Sequence, residues 1–243
     1  METVGIARQD AATRGGTVDR LVEHLRLGIL RGRYAPGQRL IEQDLTSELG
    51  VSRGPLREAF RRVAAEGLLE IVPNRGAMVR RLSHRETVEL FQIRTALEGL
   101  AVRLAALTID EGGNRARFEA AIRPIWSDEP RLGGVAYHEE NRQFHSAVFD
   151  ICGNESLADL SRQLHLQMIM LQLSGLMTPA MYHDSVLEHR AIARAILAGD
   201  PVAAEQALQA HIGRASGIAI AMPSSTFRDG EGARLGLASR RTG

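Results

Sequence analysis

The sequence predicts a mainly α-helical protein, an N-terminal winged helix-turn-helix followed by an all-helical bundle of six to seven helices. Three observations carry this. Between residues 17 and 66, three stretches place apolar residues at helical spacing with breakers between them. Two β-favouring runs around Pro73-Asn74-Arg75-Gly76 follow, which is the pattern of a hairpin. From Ser83 to about Ala221 helical periodicity continues with short interruptions, in a chain that is 44% hydrophobic but only 4% aromatic.

Residues 1–16 read as a flexible leader. The first helix, about 17–30, has an apolar stripe at Leu21, Leu25 and Leu27–Ile29. Pro36 and Gly37 then break the chain. A short helix over 41–49 ends at Gly50, a residue suited to a left-handed cap. Ser52 is a good N-cap and Pro55 is tolerated in the first turn of the next helix, which runs to Glu66 and stops at Gly67. After the hairpin, helices are expected over about 84–107, 110–126, 130–150, 155–176, 183–198 and 201–220, the last capped by Asp200 with Pro201 behind it. The domains are therefore a winged helix-turn-helix over 17–82, a helical domain over 83–221 and a disordered tail over 222–243.

The third helix poses the functional question. With residue 53 at 0° and about 100° per residue, Leu56, Ala59, Phe60 and Val63 cluster between about 240° and 340°. Arg53, Arg57 and Arg61 fall near 0°, 40° and 80°. One face packs, and the next presents guanidinium groups that suit phosphate oxygens and guanine edges. A solvated face held by Glu58 and Glu66 is the plainer alternative. Charge distribution favours nucleic acid: residues 1–82 carry +4 and residues 83–222 carry −5, within a net charge of +1. No apolar run approaches the roughly 20 residues of a membrane span, the N-terminus lacks a secretory apolar core, and one cysteine permits no intrachain disulfide. A cytoplasmic protein is expected.

Residues 17–82 resemble the DNA-binding domain of the GntR family of bacterial transcription regulators. The resemblance rests on Pro36-Gly37-Gln38-Arg39-Leu40, Val51-Ser52-Arg53-Gly54-Pro55-Leu56-Arg57-Glu58-Ala59, Glu66-Gly67-Leu68, Asn74-Arg75-Gly76 and Val79. It implies that Arg53 and Arg57 contact bases or their phosphates, that Ser52 contacts the backbone, and that Arg75 and Gly76 reach a minor groove from the wing. Gln43 stands where some members carry a basic or small DNA-contacting residue. Glu58 is expected to organise the arginines, since a carboxylate repels phosphate.

The helical domain contains Asn141 and His145 one turn apart, with His189 and His211 on later helices. Three imidazoles and a carbonyl oxygen could converge in a bundle core, though spacing alone equally allows packed, hydrogen-bonded histidines. This region resembles the FCD effector domain of the FadR-type branch of the same family, through Phe91 to Glu98, Asn141 to His145 with Gly153-Asn154, Glu188 to Ile192, and Ala210-His211. The resemblance implies a divalent metal, zinc, nickel or similar, on Asn141, His145, His189 and His211, and a small organic acid bound by the metal and Arg94. Arg94 could instead pair with Glu98 at i,i+4. His24, His84, His138, His165 and His183 match no part of the motif and are expected to be structural or superficial. The run Met168–Met177 is expected to pack a core or a dimer face.

The expected function is a ligand-responsive, sequence-specific regulator, a repressor by family analogy. It would act as a homodimer on operator DNA with a carboxylate effector, and it would not be an enzyme. The alternatives are a metal sensor and a metal-dependent hydrolase. Against the latter, there is no His-Glu-x-x-His helix, and Glu188 points about 100° away from its neighbour His189.

Overall fold

The structure, a computed structural model, describes residues 14–73, 76–129, 134–164 and 177–228. The leader before residue 14, Arg75 at the wing tip, most of the Met168–Met177 run and the tail beyond 228 lie outside the described residues. The chain divides into two compact units, Met1–Arg81 and Leu82–Gly243.

The first unit holds α1 (Arg14–Leu30), β1 (Arg39–Leu40), α2 (Glu42–Leu49), α3 (Arg53–Ala65), β2 (Leu69–Val72) and β3 (Gly76–Val79). Its core is the set of residues that periodicity points inward: Leu21, Leu25 and Ile29 of α1 meet Leu56, Ala59, Phe60 and Val63 of α3, all at most 2% exposed. Glu66, which the plainer alternative of a solvated arginine face would use, accepts from Arg26 Nε at 2.8 Å, tying α3 to α1. The hairpin β2–β3 is present, and β1 joins it to give the antiparallel order β1-β3-β2. Two residues of strand are too short for a periodicity signal, so β1 was not expected. Its presence explains Gly76: φ is 90°, and a Cβ there would lie 2.4 Å from the Leu40 carbonyl oxygen.

The second unit contains six α-helices among the described residues: α4 (His84–Leu107), α5 (Asn114–Ile122), α6 (Gly134–Ile151), α7 (Glu155–Gln163), α8 (Pro179–Leu197) and α9 (Pro201–Ile220). Ser83 and Glu86 form a reciprocal capping box that starts α4. The expected helix over 110–126 begins later, at Asn114, because Gly112 and Gly113 take positive φ, and it ends in a 3₁₀ turn at Arg123–Trp126. Helix α8 begins at Pro179, four residues before the expected start. Thr178 accepts from the Met181 amide and caps it, so Pro179 is a helix start, not the break assigned to it.

The packing stripes are regular. Tyr182, Ser185, His189, Ile192 and Ile196 line the buried face of α8, and Ala204, Leu208, His211, Ala215 and Ala219 that of α9. After α9 a 3₁₀ turn at Ser224–Thr226 brings Phe227 to the start of α4. There Phe227 is 2% exposed, edge-on to His84, and the Arg228 amide donates to the Leu82 carbonyl at 3.1 Å. A structureless tail from residue 222 therefore does not hold for Ser224–Arg228: one aromatic side chain fills a gap that no periodic pattern announces.

Candidate functional site

In the first unit, α3 displays Arg53, Arg57, Arg61 and Arg62 outward while its apolar face is buried. Ser52 holds extended backbone at the N-cap, yet its hydroxyl makes no capping bond, which leaves it exposed at the helix start. Arg39, Gln43, Arg53, Arg57, Arg61 and Gly76 line a groove of ≈ 490 Å³ between helix and wing. Arg57 Nε donates to both oxygens of Glu42, at 2.9 and 3.0 Å. Glu58 accepts from Arg61 and Arg62 at 3.5 and 3.3 Å. Arg53 has no carboxylate partner among the described residues.

In the second unit, His145 from α6, His189 from α8 and His211 from α9 offer ring nitrogens that all lie within 4.8 Å of one another. The cluster forms because His189 and His211 occupy the buried stripes of their helices and the half-buried His145 sits at the edge of that of α6. His189 is fully buried, and neither of its nitrogens has a hydrogen-bond partner. Phe144 stacks on it at 4.3 Å between ring centroids. Burial pushes the His189 imidazole well below its ordinary pKa, and His211, His145, Arg94 and Arg214 push the same way. Burial also lowers His211, to about 4, against the opposing hydrogen bond with Glu188. At neutral pH these two rings are uncharged, each with one N–H and one lone pair.

Two carboxylates orient the rings. His145 Nδ1 lies 2.8 Å from Glu98 Oε2, and His211 Nδ1 lies 2.8 Å from Glu188 Oε2. Burial alone would raise both carboxyls. At Glu98 the charge of Arg94 and the contact with His145 outweigh it and hold the group far below the usual range. At Glu188 the hydrogen bonds of His211 and Arg214 outweigh burial and lower the group. Arg94 and Glu98 are 3% and 6% exposed, joined by a 2.6 Å bond from Arg94 Nε to Glu98 Oε1. Arg94 Nη2 also lies 3.0 Å from His145 Nε2. Asn141 is buried, with the Tyr137 hydroxyl 3.4 Å from its Oδ1. Tyr137 donates to Ser185 at 2.6 Å. This donor set suits a divalent ion: three imidazoles, one of them an orphaned buried histidine, and carboxylates beside ring nitrogens of the other two.

The comparisons with known proteins decide the family. The model described as "FCD domain" matches residues 89–214, more than half of the chain, and that described as "Bacterial regulatory proteins, gntR family" matches residues 17–79. The chain belongs to the GntR family. It is a GntR transcription regulator carrying an FCD domain. A "Probable D-xylose utilization operon transcriptional repressor" of Paenarthrobacter nicotinovorans is 34% identical over 202 residues, spanning 82% of this chain and 87% of that protein. The "HTH-type transcriptional repressor GlaR" of Escherichia coli is 27% identical over 201 residues, spanning 77% and 89%. Among solved structures, E. coli McbR/YncC superposes with a TM-score of 0.72 at 22% identity, covering 84% of this chain and 96% of that one. A GntR regulator from Rhodococcus sp. RHA1 gives 0.73 at 24%, covering 86% and 100%. At those identities the two structures speak for the fold alone. The relatives are regulators, not enzymes.

Within this GntR regulator, the structure brings together His145, His189, His211 and Arg94, and it lines one groove of the first unit with Arg53, Arg57 and Gly76, while Ser52 is exposed at the start of α3. Three carboxylates were missed in these roles. Glu98 was seen only as a partner for Arg94. Glu188 was set aside because it points away from His189, and that same angle carries it across to His211 on α9. Glu42 lies outside α3, so no helical wheel of α3 could reveal its grip on Arg57. No described helix is long and apolar enough to cross a membrane.

Proposed function

We propose that this regulator is a dimeric repressor that releases its operator when a small organic acid binds the FCD domain through a divalent metal. The observation that carries the reading is the meeting of three imidazoles from three helices, two of them backed by carboxylates. His145, His189 and His211 would hold a divalent ion such as zinc or nickel, with Asn141, one turn before His145 on α6, as a further oxygen ligand. The ion would supply a Lewis-acid point for a carboxylate oxygen, and the Arg94 guanidinium, with its forked donors, would anchor the acid. Repression as the direction of control is supported by the names of the two relatives. On the DNA side, Arg53 and Arg57 would meet base edges or phosphates, Ser52 the backbone, and Arg75 with Gly76 a minor groove. Ile93, Leu100 and Leu107 stay exposed at seven-residue steps on α4, a stripe a second copy would cover.

The test is elemental analysis. Purified protein is expected to carry about one divalent ion per chain, by analogy with three-histidine sites. The variant H145A/H189A/H211A is expected to carry none while still binding DNA. Stoichiometric metal in that variant places the ion elsewhere and removes the reading.

One observation favours a second reading, a metal sensor. The cavity beside His211, lined by Tyr137, Met177, Ser185, Arg214, Ala215 and Ile218, is only ≈ 10 Å³, room for about one water. An ion needs no movement of these walls, whereas an organic acid does. Operator binding titrated with metal, with and without candidate acids, separates the two: a sensor responds to the ion alone.

A further inference from the structure

The position of Arg94 has a consequence for the ion itself. A guanidinium can only donate, so the contact of Arg94 Nη2 with His145 Nε2 puts the ring's lone pair on Nε2 and its proton on Nδ1, which lies 2.8 Å from Glu98 Oε2 without the alignment of a hydrogen bond. Arg94 Nη2 lies 3.0 Å from that Nε2 and donates to it. The same lone pair is the one His145 would give to a divalent ion. One lone pair cannot serve a guanidinium hydrogen and a metal together. Two cations would also crowd a site where Arg94 is 3% exposed and solvent screens little.

We propose that Arg94 is a tethered competitor of the metal: its guanidinium occupies the His145 ligand atom and must swing off before the ion coordinates. This rests on the reading that the three histidines take a divalent ion. Displacement has a second effect. Nε keeps its bond to Glu98, and Nη1 is already buried without a partner. Once Nη2 leaves His145, two N–H edges of one buried guanidinium lack acceptors, which is costly. A carboxylate satisfies both through a forked pair of bonds. Metal entry thereby creates the anchor for the acid, and by reciprocity the acid strengthens the hold on the metal. Arg94 thus acts as a positioning residue that weakens the metal when no acid is present and couples the two ligands when it is.

The experiment is calorimetric titration of nickel or zinc, with a competing chelator, into metal-stripped full-length protein. Three chains are compared: the natural sequence, R94M and R214M. Arg214 carries the same charge but donates to both oxygens of Glu188 and touches no histidine lone pair in this structure. R94M is expected to bind metal about tenfold or more tightly than the natural chain, the loss of one charge-assisted hydrogen bond at the ligand atom. R214M is expected to gain clearly less. Equal gains would reduce the effect to a general loss of positive charge and overturn the proposal, as would unchanged or weaker binding in R94M. Should R94M leave Glu98 unpaired and fail to fold, the pair E98Q and R94M/E98Q repeats the comparison with the same expected sign. Crystals of the natural chain with and without the ion give an independent readout: Arg94 Nη2 moves beyond hydrogen-bond distance of His145 Nε2 when metal is bound, and an unmoved guanidinium overturns the proposal. If neither the natural chain nor R94M takes up metal, the metal reading of the previous section falls with it; if the natural chain binds metal and R94M binds no more tightly, this inference alone falls.

Discussion

Glu42 and Arg57 show how a single carboxylate can set the behaviour of a DNA-reading face. Arg57 is exposed, and its Nε sits between the two Glu42 oxygens. Glu42 aims the guanidinium and fixes one edge, and it also places a negative charge where phosphates would approach. Under the proposed function, R57A costs about 1–3 kcal/mol of operator discrimination, the typical worth of a bidentate base contact. E42Q acts differently. It removes the repulsion, so binding to random duplex tightens, while Arg57 loses its aim and operator preference narrows. Competition between operator and scrambled duplex at one fixed salt concentration reads both quantities. An E42Q protein with the natural specificity ratio would show that Glu42 does not position Arg57 for DNA. These residues also mark what the sequence made readable. The outward row Arg53, Arg57, Arg61 follows from a 100° step within one helix. Apart from the i,i+4 pair of Glu98 with Arg94, the carboxylates that organise the sites, Glu42, Glu188 and Glu98 toward His145, act between helices or across a bundle, where the phase of packing decides the contact and no single-helix periodicity carries that information.

At the scale of elements, most boundaries were readable because the breakers have local causes. Gly50 takes φ of 64° to end α2, and Asp200 accepts from the amides of Val202 and Ala203 to start α9. The Pro179 boundary was misplaced because proline at a helix start and proline after a helix end look alike until the Thr178 cap is seen. The segment beyond α9 was misread for a different reason. Its order draws on the buried aromatic Phe227 and on the backbone bond from Arg228 to Leu82, with Arg228 Nη2 also 3.2 Å from Glu86. A short strap beyond the last α-helix should release locally. F227A is expected to cost up to about 3 kcal/mol, the low end for a buried phenylalanine, because the segment can detach without unfolding the helices behind it. The decisive measurements are hydrogen exchange and a urea midpoint. The Arg228 amide should lose its protection in F227A while amides in α4 and α9 keep theirs. Loss of protection throughout α4 would show that the strap is part of the cooperative core.

For the whole molecule, the question is how a ligand in the second unit changes what the first unit holds. A ligand shifts an equilibrium between two arrangements only by its difference in affinity for them. In the proposed dimer, the half-sites of a near-palindromic operator set the required spacing of the two winged units, because the protein's twofold axis must match that of the DNA. The helices that surround the ligand site are those that can carry the difference. Helix α4 bears Arg94 and Glu98 and is capped by Ser83, close to the boundary between Arg81 and Leu82. Helices α8 and α9 bear the other two histidines. If the acid binds through both the ion and Arg94, stripping the metal should leave operator affinity nearly unchanged and abolish the response to acid. With metal present, the cognate acid should weaken operator binding by about 5- to 150-fold, the range of ordinary coupling energies. Fluorescence anisotropy of labelled operator, with a panel of mono- and dicarboxylates, with and without chelator, measures this directly. An acid response that survives complete removal of the ion would detach the effector from the three histidines and assign it to another part of the bundle. Operator release driven by chelation alone would instead favour the sensor reading, in which the ion is the signal.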